Sequence, residues 1–432
     1  MNNLKNLFKK VSILKSNKFI ITGLLCTALF ITAIHPDVNA QTKNLRYYID
    51  CAVNSDPVIQ ENTNLLNTGI IRKELIYSQY KKPHIFGTAN YLFAPAFGEY
   101  GYDSSITNGG LYSALINLEM PLFTGFSSSA KLEDINNDLT SYSNTILITR
   151  HEIEKNVTAQ YYKVFQGQQQ IAAIDEILKI LDYQKEIVKA MADRSIGKIS
   201  DVTLLEIEYQ SQIIAKSNLT QTLETDLMDL NLLAGINDTA IVVLEDPGIK
   251  LTSDVENKSN FLLTYTLDSL KIITEKKLNE SNYKPQVALF INGGLNAVSY
   301  NEIWKKVGIS TGFNITFDIY NGGQRDLNNK LADIKKVNLS NNKTMFLEQN
   351  SQRKRYLLKE IEGLNKLLEP LEKQLENYRL LLDLYRDEFV AGEVSLLDYI
   401  NILKSYITFK NEIINNKNQQ ATIINEFNYW NW

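Results

Sequence analysis

Three histidines in 432 residues give the first test for catalysis. His35 lies in an N-terminal apolar run, and His84 and His151 fall on separate segments without the H-E-x-x-H spacing of a helical zinc site. Cys26 belongs to the same apolar run, which leaves Cys51 alone beyond it and excludes an intrachain disulfide there. On a helical apolar face Cys51 reads as a small core residue. The carboxylates Glu206 and Glu208 read as a solvated helix face rather than an acid–base pair. Gly125 and Gly322-Gly323 open no dinucleotide or phosphate loop, because no G-x-G-x-x-G or P-loop follows them. These patterns point away from an enzyme, and none implies a cofactor or a resident metal.

The N-terminus has the form of a secretory signal peptide over 1–40. Lys5, Lys9, Lys10, Lys15 and Lys18 precede an apolar run from Phe19 to Ile34, and Val38-Asn39-Ala40 offers a small-residue cleavage site. The run is short of the ~20 residues of a comfortable membrane span. Cys26 follows Leu25 in mid-run, which favours cleavage after Ala40 over lipid attachment. Removing residues 1–40 leaves 40 basic and 48 acidic residues, a net charge of about −8. An acidic chain of this kind does not suit nucleic acid, which requires a basic patch.

The remainder says the same thing twice, about 200 residues apart, a period far longer than a solenoid unit. Tyr80-Lys81-Lys82-Pro83 returns as Tyr283-Lys284-Pro285, and Phe123-Thr124-Gly125-Phe126 as Tyr320-Asn321-Gly322-Gly323. Ile196-Gly197-Lys198-Ile199-Ser200 returns as Ala391-Gly392-Glu393-Val394-Ser395. The expected segments are an N-terminal segment with a short helix over 41–82, a strand pair over 83–124 and a long helical hairpin over 125–235. An equatorial segment with a short helix over 236–284, a second strand pair over 285–321 and a second hairpin over 322–432 complete the chain.

Period-two alternation marks the strands. Val307, Ile309, Phe313, Ile315, Phe317 and Ile319 alternate with Gly308, Ser310, Gly312, Asn314, Thr316 and Asp318. Tyr112, Ala114, Ile116, Leu118, Met120 and Leu122 form a second apolar set, and Val287, Leu289, Ile291, Leu295 and Ala297 a third. His84–Ala94 alternates less cleanly. The lengths suit tilted membrane strands as well as a half-buried soluble sheet. Between the strands, Ile361, Leu364, Leu368, Leu371, Leu375, Tyr378, Leu382, Tyr385 and Phe389 keep 3-4 spacing, a coiled-coil-like seam. Helices over ~127–193 and ~324–390 would each span roughly 100 Å. Gly197 and Gly392 are expected to end them, with return helices over ~201–234 and ~395–428. Pro370 falls inside the second and predicts a bend. Pro83 and Pro285 sit at the helix-to-strand joints, where a missing N–H does least harm. Gly125 and Gly322-Gly323 would let a strand swing into a helix. Four strands cannot close a barrel and open edges are not tolerated in lipid; oligomerisation solves both problems, and a closed ring of identical chains is the ordinary way.

The residues resemble the TolC-like outer membrane efflux family. The resemblance rests on Leu45 through Asn54-Ser55-Asp56-Pro57, Pro121-Leu122-Phe123-Thr124-Gly125, Asp318-Ile319-Tyr320-Asn321-Gly322-Gly323, and the two tips with Ser200 and Ser395. No single motif is specific; the ordered, duplicated set over 45–428 is. It implies a mixed α/β membrane protein with an internal two-fold repeat. A homotrimer would form a 12-stranded outer membrane β-barrel, four strands per chain, continued into the periplasm by an α-helical coiled-coil tunnel. It further implies an exit duct, embedded in outer membrane lipids, of a tripartite pump or type I secretion system. The partners would be a periplasmic adaptor and an inner membrane RND or ABC transporter.

In that family acidic residues six and nine positions past the last tip glycine ring the closed inner end. Here Asp398 fills the first position and Asn401 replaces the second. Val394, Phe389 and Thr203 stand where the family can carry polar gate partners. Three Asp398 carboxylates on a narrow axis would attract cations. The tips Ile196, Gly197, Ser200, Ala391, Gly392 and Ser395 are the expected adaptor contacts, each with an apolar residue beside its glycine. The aromatic tail Phe427–Trp432 follows a helix and is expected to pack rather than to direct barrel assembly. The alternative is a soluble periplasmic coiled-coil adaptor without a channel. Such a protein would carry one hairpin flanked by compact β domains, not two hairpins each preceded by a strand pair.

Overall fold

A computed structural model describes residues 43–95, 97–103, 110–195, 197–238, 240–253 and 259–432; the expected signal peptide and Ile196 lie outside the described residues. Two short helices open the chain, α1 (Leu45–Ser55) and α2 (Pro57–Lys81). Their boundary follows from capping: the Asp56 carboxylate accepts the Ile59 N–H at 2.9 Å and Pro57 occupies the first turn. Strands β1 (His84–Phe93) and β2 (Gly110–Phe123) lead into α3 (Gly125–Asp193) and α4 (Ile199–Leu233). After α5 (Asn260–Ser281), strands β3 (Gln286–Ala297) and β4 (Val307–Thr316) lead into α6 (Gln324–Ala391) and α7 (Leu396–Trp430). A helix, two strands and two long helices thus follow in the same order in both halves, the first half carrying α1 in addition. Pro83 and Pro285 each directly precede a strand.

Three expectations change. The last strand stops at Thr316, so Phe317 and Ile319 are not part of it. Gly125 is already the first residue of α3 rather than a swivel before it, whereas Gly322 and Gly323 both adopt left-handed backbone, φ 71° and 77°. The helix α6 continues through Pro370, which faces solvent, so the Lys366 carbonyl deprived of its helical partner can bond to water.

The four strands form one antiparallel sheet in the order β1-β2-β3-β4. Its register aligns Ile85, Leu118 and Ile291 in one row and Met120, Leu289 and Phe313 in another. Every alternating apolar set read from the sequence therefore lies on one face. The opposite face carries Thr88, Asn90, Asn117, Asn292, Asn296, Ser310 and Asn314, with Phe86, Leu92, Leu115 and Phe290 among them. A register irregularity at Pro121–Phe123 marks where β2 hands over to α3.

The helices lie side by side. Near the sheet, α3 packs between α2 and α5, and α5 against α6; toward the hairpin tips, α3 packs between α4 and α7, and α7 against α6. Helix α3 is thus flanked along its whole length and α6 on one side. An equatorial core joins Tyr48, Val157, Tyr161, Val164, Leu227, Leu230 and Leu244, with Cys51 half-buried against it. The Tyr161 hydroxyl donates to the Glu245 carbonyl at 2.8 Å, and burial pushes it up to about 12. The aromatic tail packs as expected: His151 stacks between Tyr429, 5.0 Å away, and Trp432, 4.2 Å away.

Candidate functional site

Two surfaces carry the candidate functions, the tips of the hairpins and the face of the sheet. Near the tips one core gathers all four long helices: Ile177, Leu181 and Val188 of α3, Leu205 of α4, Leu382 and Phe389 of α6, and Leu396, Tyr399, Ile400 and Leu403 of α7. Phe389 is part of this core, and Val394 packs against it.

The second tip closes as the glycine rule requires. Gly392 has φ 82°, its N–H donates to the Phe389 carbonyl at 3.0 Å, and the Glu393 N–H reaches the Glu388 carbonyl at 2.9 Å. The first tip closes differently, which corrects the expectation for Gly197. The left-handed residue is Ser195, φ 61°, and the Gly197 N–H donates to the Met191 carbonyl at 3.0 Å. A Cβ on Gly197 would lie 3.2 Å from the Ala192 nitrogen, so that position is chosen for close approach. Ser200 and Ala391 are exposed.

Asp398 and Asn401 are both exposed on the first turns of α7. Ser395 caps this helix: its hydroxyl accepts the Asp398 N–H at 3.2 Å and donates to the Asp398 carboxylate at 2.6 Å. The Ser395 hydroxyl thus caps the first turn and holds the carboxylate beside the tip. Thr203, exposed, donates to the Ile199 carbonyl at 3.3 Å.

Sequence reasoning missed several residues here. Ile199, 80% exposed, with Val390 and Leu397, presents an apolar surface around the tips. Glu208 is not on a solvated face. Its side chain is 7% exposed and takes the Lys404 ammonium of α7 at 3.0 Å, together with the Gln212 amide at 2.9 Å. Glu206, half-exposed, takes Lys185 at 3.2 Å. A groove of about 280 Å³ between α3, α6 and α7 is lined by Lys179, Tyr183, Gln184, Asp383, Arg386 and Tyr399. Burial pushes the Tyr399 hydroxyl up to about 12.

The sheet offers the second surface. On β4 the apolar residues are almost bare, Ile309 at 82% exposed with Val307, Phe313 and Ile315 similar, and on β1 and β2 Ile85, Tyr91, Phe93 and Ile116 join them. Strands of ten to fourteen residues tilted by ~45° span about the 25 Å apolar band of a membrane barrel. Among the described residues no helix is long and apolar enough to cross a membrane, and no group of three or more His, Cys, Asp or Glu could hold a metal ion.

No protein-family model matches the chain. Among curated proteins it is 27% identical over 159 residues to the spindle pole component BBP1 of Vanderwaltozyma polyspora, a match that spans 34% of this chain and 38% of that protein. Solved structures match along nearly the whole length. The outer membrane protein VceC of Vibrio cholerae superposes with a TM-score of 0.70 at 12% identity, covering 90% of this chain and 96% of that one. The CmeC outer membrane channel of Campylobacter jejuni gives 0.68 at 14% identity, covering 90% and 85%. The open-state MtrE outer membrane channel of Neisseria gonorrhoeae gives 0.64 at 12% identity, covering 90% and 88%. A mostly helical chain with one small antiparallel sheet, aligned end to end with these channels, has the TolC-like fold.

Proposed function

We propose that this chain is an outer membrane channel, the exit duct of a tripartite efflux or type I secretion system. Three copies close a 12-stranded barrel, four strands each, and continue it as a tunnel of packed helices in the periplasm. The observation that carries this reading is the sheet: one face apolar across all four strands, with β1 and β4 both open at its edges. Water would penalise that face and lipid would penalise those edges, so closure within a membrane relieves both.

The helices support the same closure. Near the sheet, α6 exposes Leu327, Leu331, Ile334 and Val337, while α2 at the opposite end of the row exposes Ile70, Ile71, Leu75 and Tyr77. Both stripes begin within a few turns of their strand joints, so α6 and β4 of one copy meet α2 and β1 of the next at matching height. Such a head-to-tail contact, repeated with rotation, closes a ring. An internal two-fold repeat explains why each copy brings two strand pairs and two hairpins.

In this ring the Asp398 carboxylates line the periplasmic constriction with Asn401 one turn further along. The tips, with Ile199, Val390 and Leu397 added to the residues read from the sequence, receive a periplasmic adaptor that joins the duct to an RND or ABC transporter. Conduction is passive. The test is extraction from the outer membrane, native mass in detergent and current across a planar bilayer. Trimers with cation-preferring current that weakens in Asp398→Asn support the reading. A soluble single copy without current overturns it, and unchanged selectivity in Asp398→Asn removes Asp398 from the constriction.

A further inference from the structure

Of the large rings on the polar face of the sheet, Phe86 and Phe290, the second is placed over a glycine. Phe290 on β3 and Gly312 on β4 are direct register partners. A Cβ built on Gly312 would lie 2.7 Å from the Phe290 Cζ and 3.0 Å from Cε1, so the phenyl ring lies flat where a side chain would otherwise stand. The Thr311 hydroxyl donates to the Phe290 carbonyl at 3.1 Å and helps hold this stretch of β3 against β4. Around the pair, this face carries Asn117, Asn292, Ser310 and Asn314, with Glu119 of β2 directly opposite Phe290.

We infer that Gly312 is a parking slot that keeps the Phe290 ring against the wall and the bore of the barrel open. This rests on the channel reading, in which the polar face lines the lumen. In a trimer three phenyl rings share one level, and each would turn inward if its slot were filled. A side chain at 312 cannot share the space: ordinary carbon contacts lie at ~3.5–4.0 Å, so even a methyl group must displace the ring. The displaced ring must take another position on the lumen face, since the backbone of β3 and β4 closes the other side.

The test measures the bore from outside. Neutral polymers of graded size, added to the extracellular side of trimers in a planar bilayer, lower the current only when they enter the mouth. Gly312→Val should lower the largest admitted polymer mass by roughly twofold, because pore diameter sets passage. Gly312→Ala, milder on folding, should shift it in the same direction. The double variant Gly312→Val with Phe290→Ala should restore the parent cut-off. An unchanged cut-off in both glycine variants overturns the inference, as does a double variant no better than Gly312→Val alone. The latter result would mean that the pair merely stabilises strand pairing, as aromatic residues do beside strand glycines. A parent protein that carries no current overturns the channel reading and this inference with it, which separates the two failures.

Discussion

Helices α3 and α6 occupy equivalent places in the two halves, 69 and 68 residues long, yet their apolar residues meet different fates. On α3, Val157, Tyr161, Val164, Ile177, Leu181 and Val188 are buried, because neighbours flank it on both sides from sheet to tip. On α6, Leu357, Ile361, Leu382 and Phe389 are buried, but Leu327, Leu331, Ile334, Val337 and Tyr356 on the other side remain exposed, because it ends the row. The pattern on a helix tells which face wants to be covered. In the proposed ring, the order of the row decides whether the same chain or another copy does the covering, so that an inner helix answers to folding and an edge helix to assembly.

The largest effect should come from charging the edge. Leu331→Asp combined with Ile334→Asp should abolish trimers while leaving the helical circular dichroism of the chain intact. Native mass spectrometry reads the first and the far-ultraviolet spectrum the second. Trimers that survive would show that this stripe faces something other than a sibling.

Next come truncations that separate the two helices energetically. Leu181→Ala, at 0% exposure in the tip core, should cost about 2–5 kcal/mol in chemical unfolding. Leu331→Ala should cost little in the dissociated chain and show its effect on subunit association. Equal losses in the dissociated chain would erase the distinction between inner and edge positions.

A smaller effect is expected where the two hairpins share a buried charge. Lys404→Ala strands the Glu208 carboxylate, and with Lys404 itself 57% exposed the loss should be about 1–3 kcal/mol. Glu208→Gln should be milder, since the amide keeps the hydrogen-bonding shape without the charge. Thermal unfolding of both variants would show the order, and the reverse order would mean that Glu208 is not the desolvated partner.

The smallest effect concerns the joint beneath the sheet. A hydrogen bond from Arg325, joined by one from Asn329, holds the Glu280 carboxyl at about 2, below its ordinary 4.5. A carboxyl lowered by folding stabilises above its unfolded value, so this contribution is full above 4.5 and fades as pH falls toward about 2. Arg325→Ala should therefore lose stability near neutral pH and converge with the parent in strong acid. A constant difference across that window would exclude Glu280 as the cause.

Much of the fold could be read from the residues. The alternating sets on β2, β3 and β4, the prolines before β1 and β3 and the glycines near the tips mark the elements close to where they stand. That the sets share a face follows once the strands pair, since a slip of two keeps the face; which residues meet in each row is what alternation left open. The tip site was read in part. Asp398 and Ser395 were identified, but not the cap that joins them, although S-x-x-D before an apolar run is the signal for it. Ser195 was missed because glycine is the expected left-handed residue, while here Gly197 supplies closeness instead. Glu208 was misread because its partner Lys404 lies on the other hairpin, and a buried ion pair between distant segments leaves no mark in local sequence.

In the proposed assembly, the apolar face of one sheet becomes the outside of a barrel shared by three chains. Mature protein, extracted in detergent and fused into a planar bilayer, should have the native mass of three copies and conduct in discrete steps. A single chain that remains soluble without detergent and carries no current would contradict it.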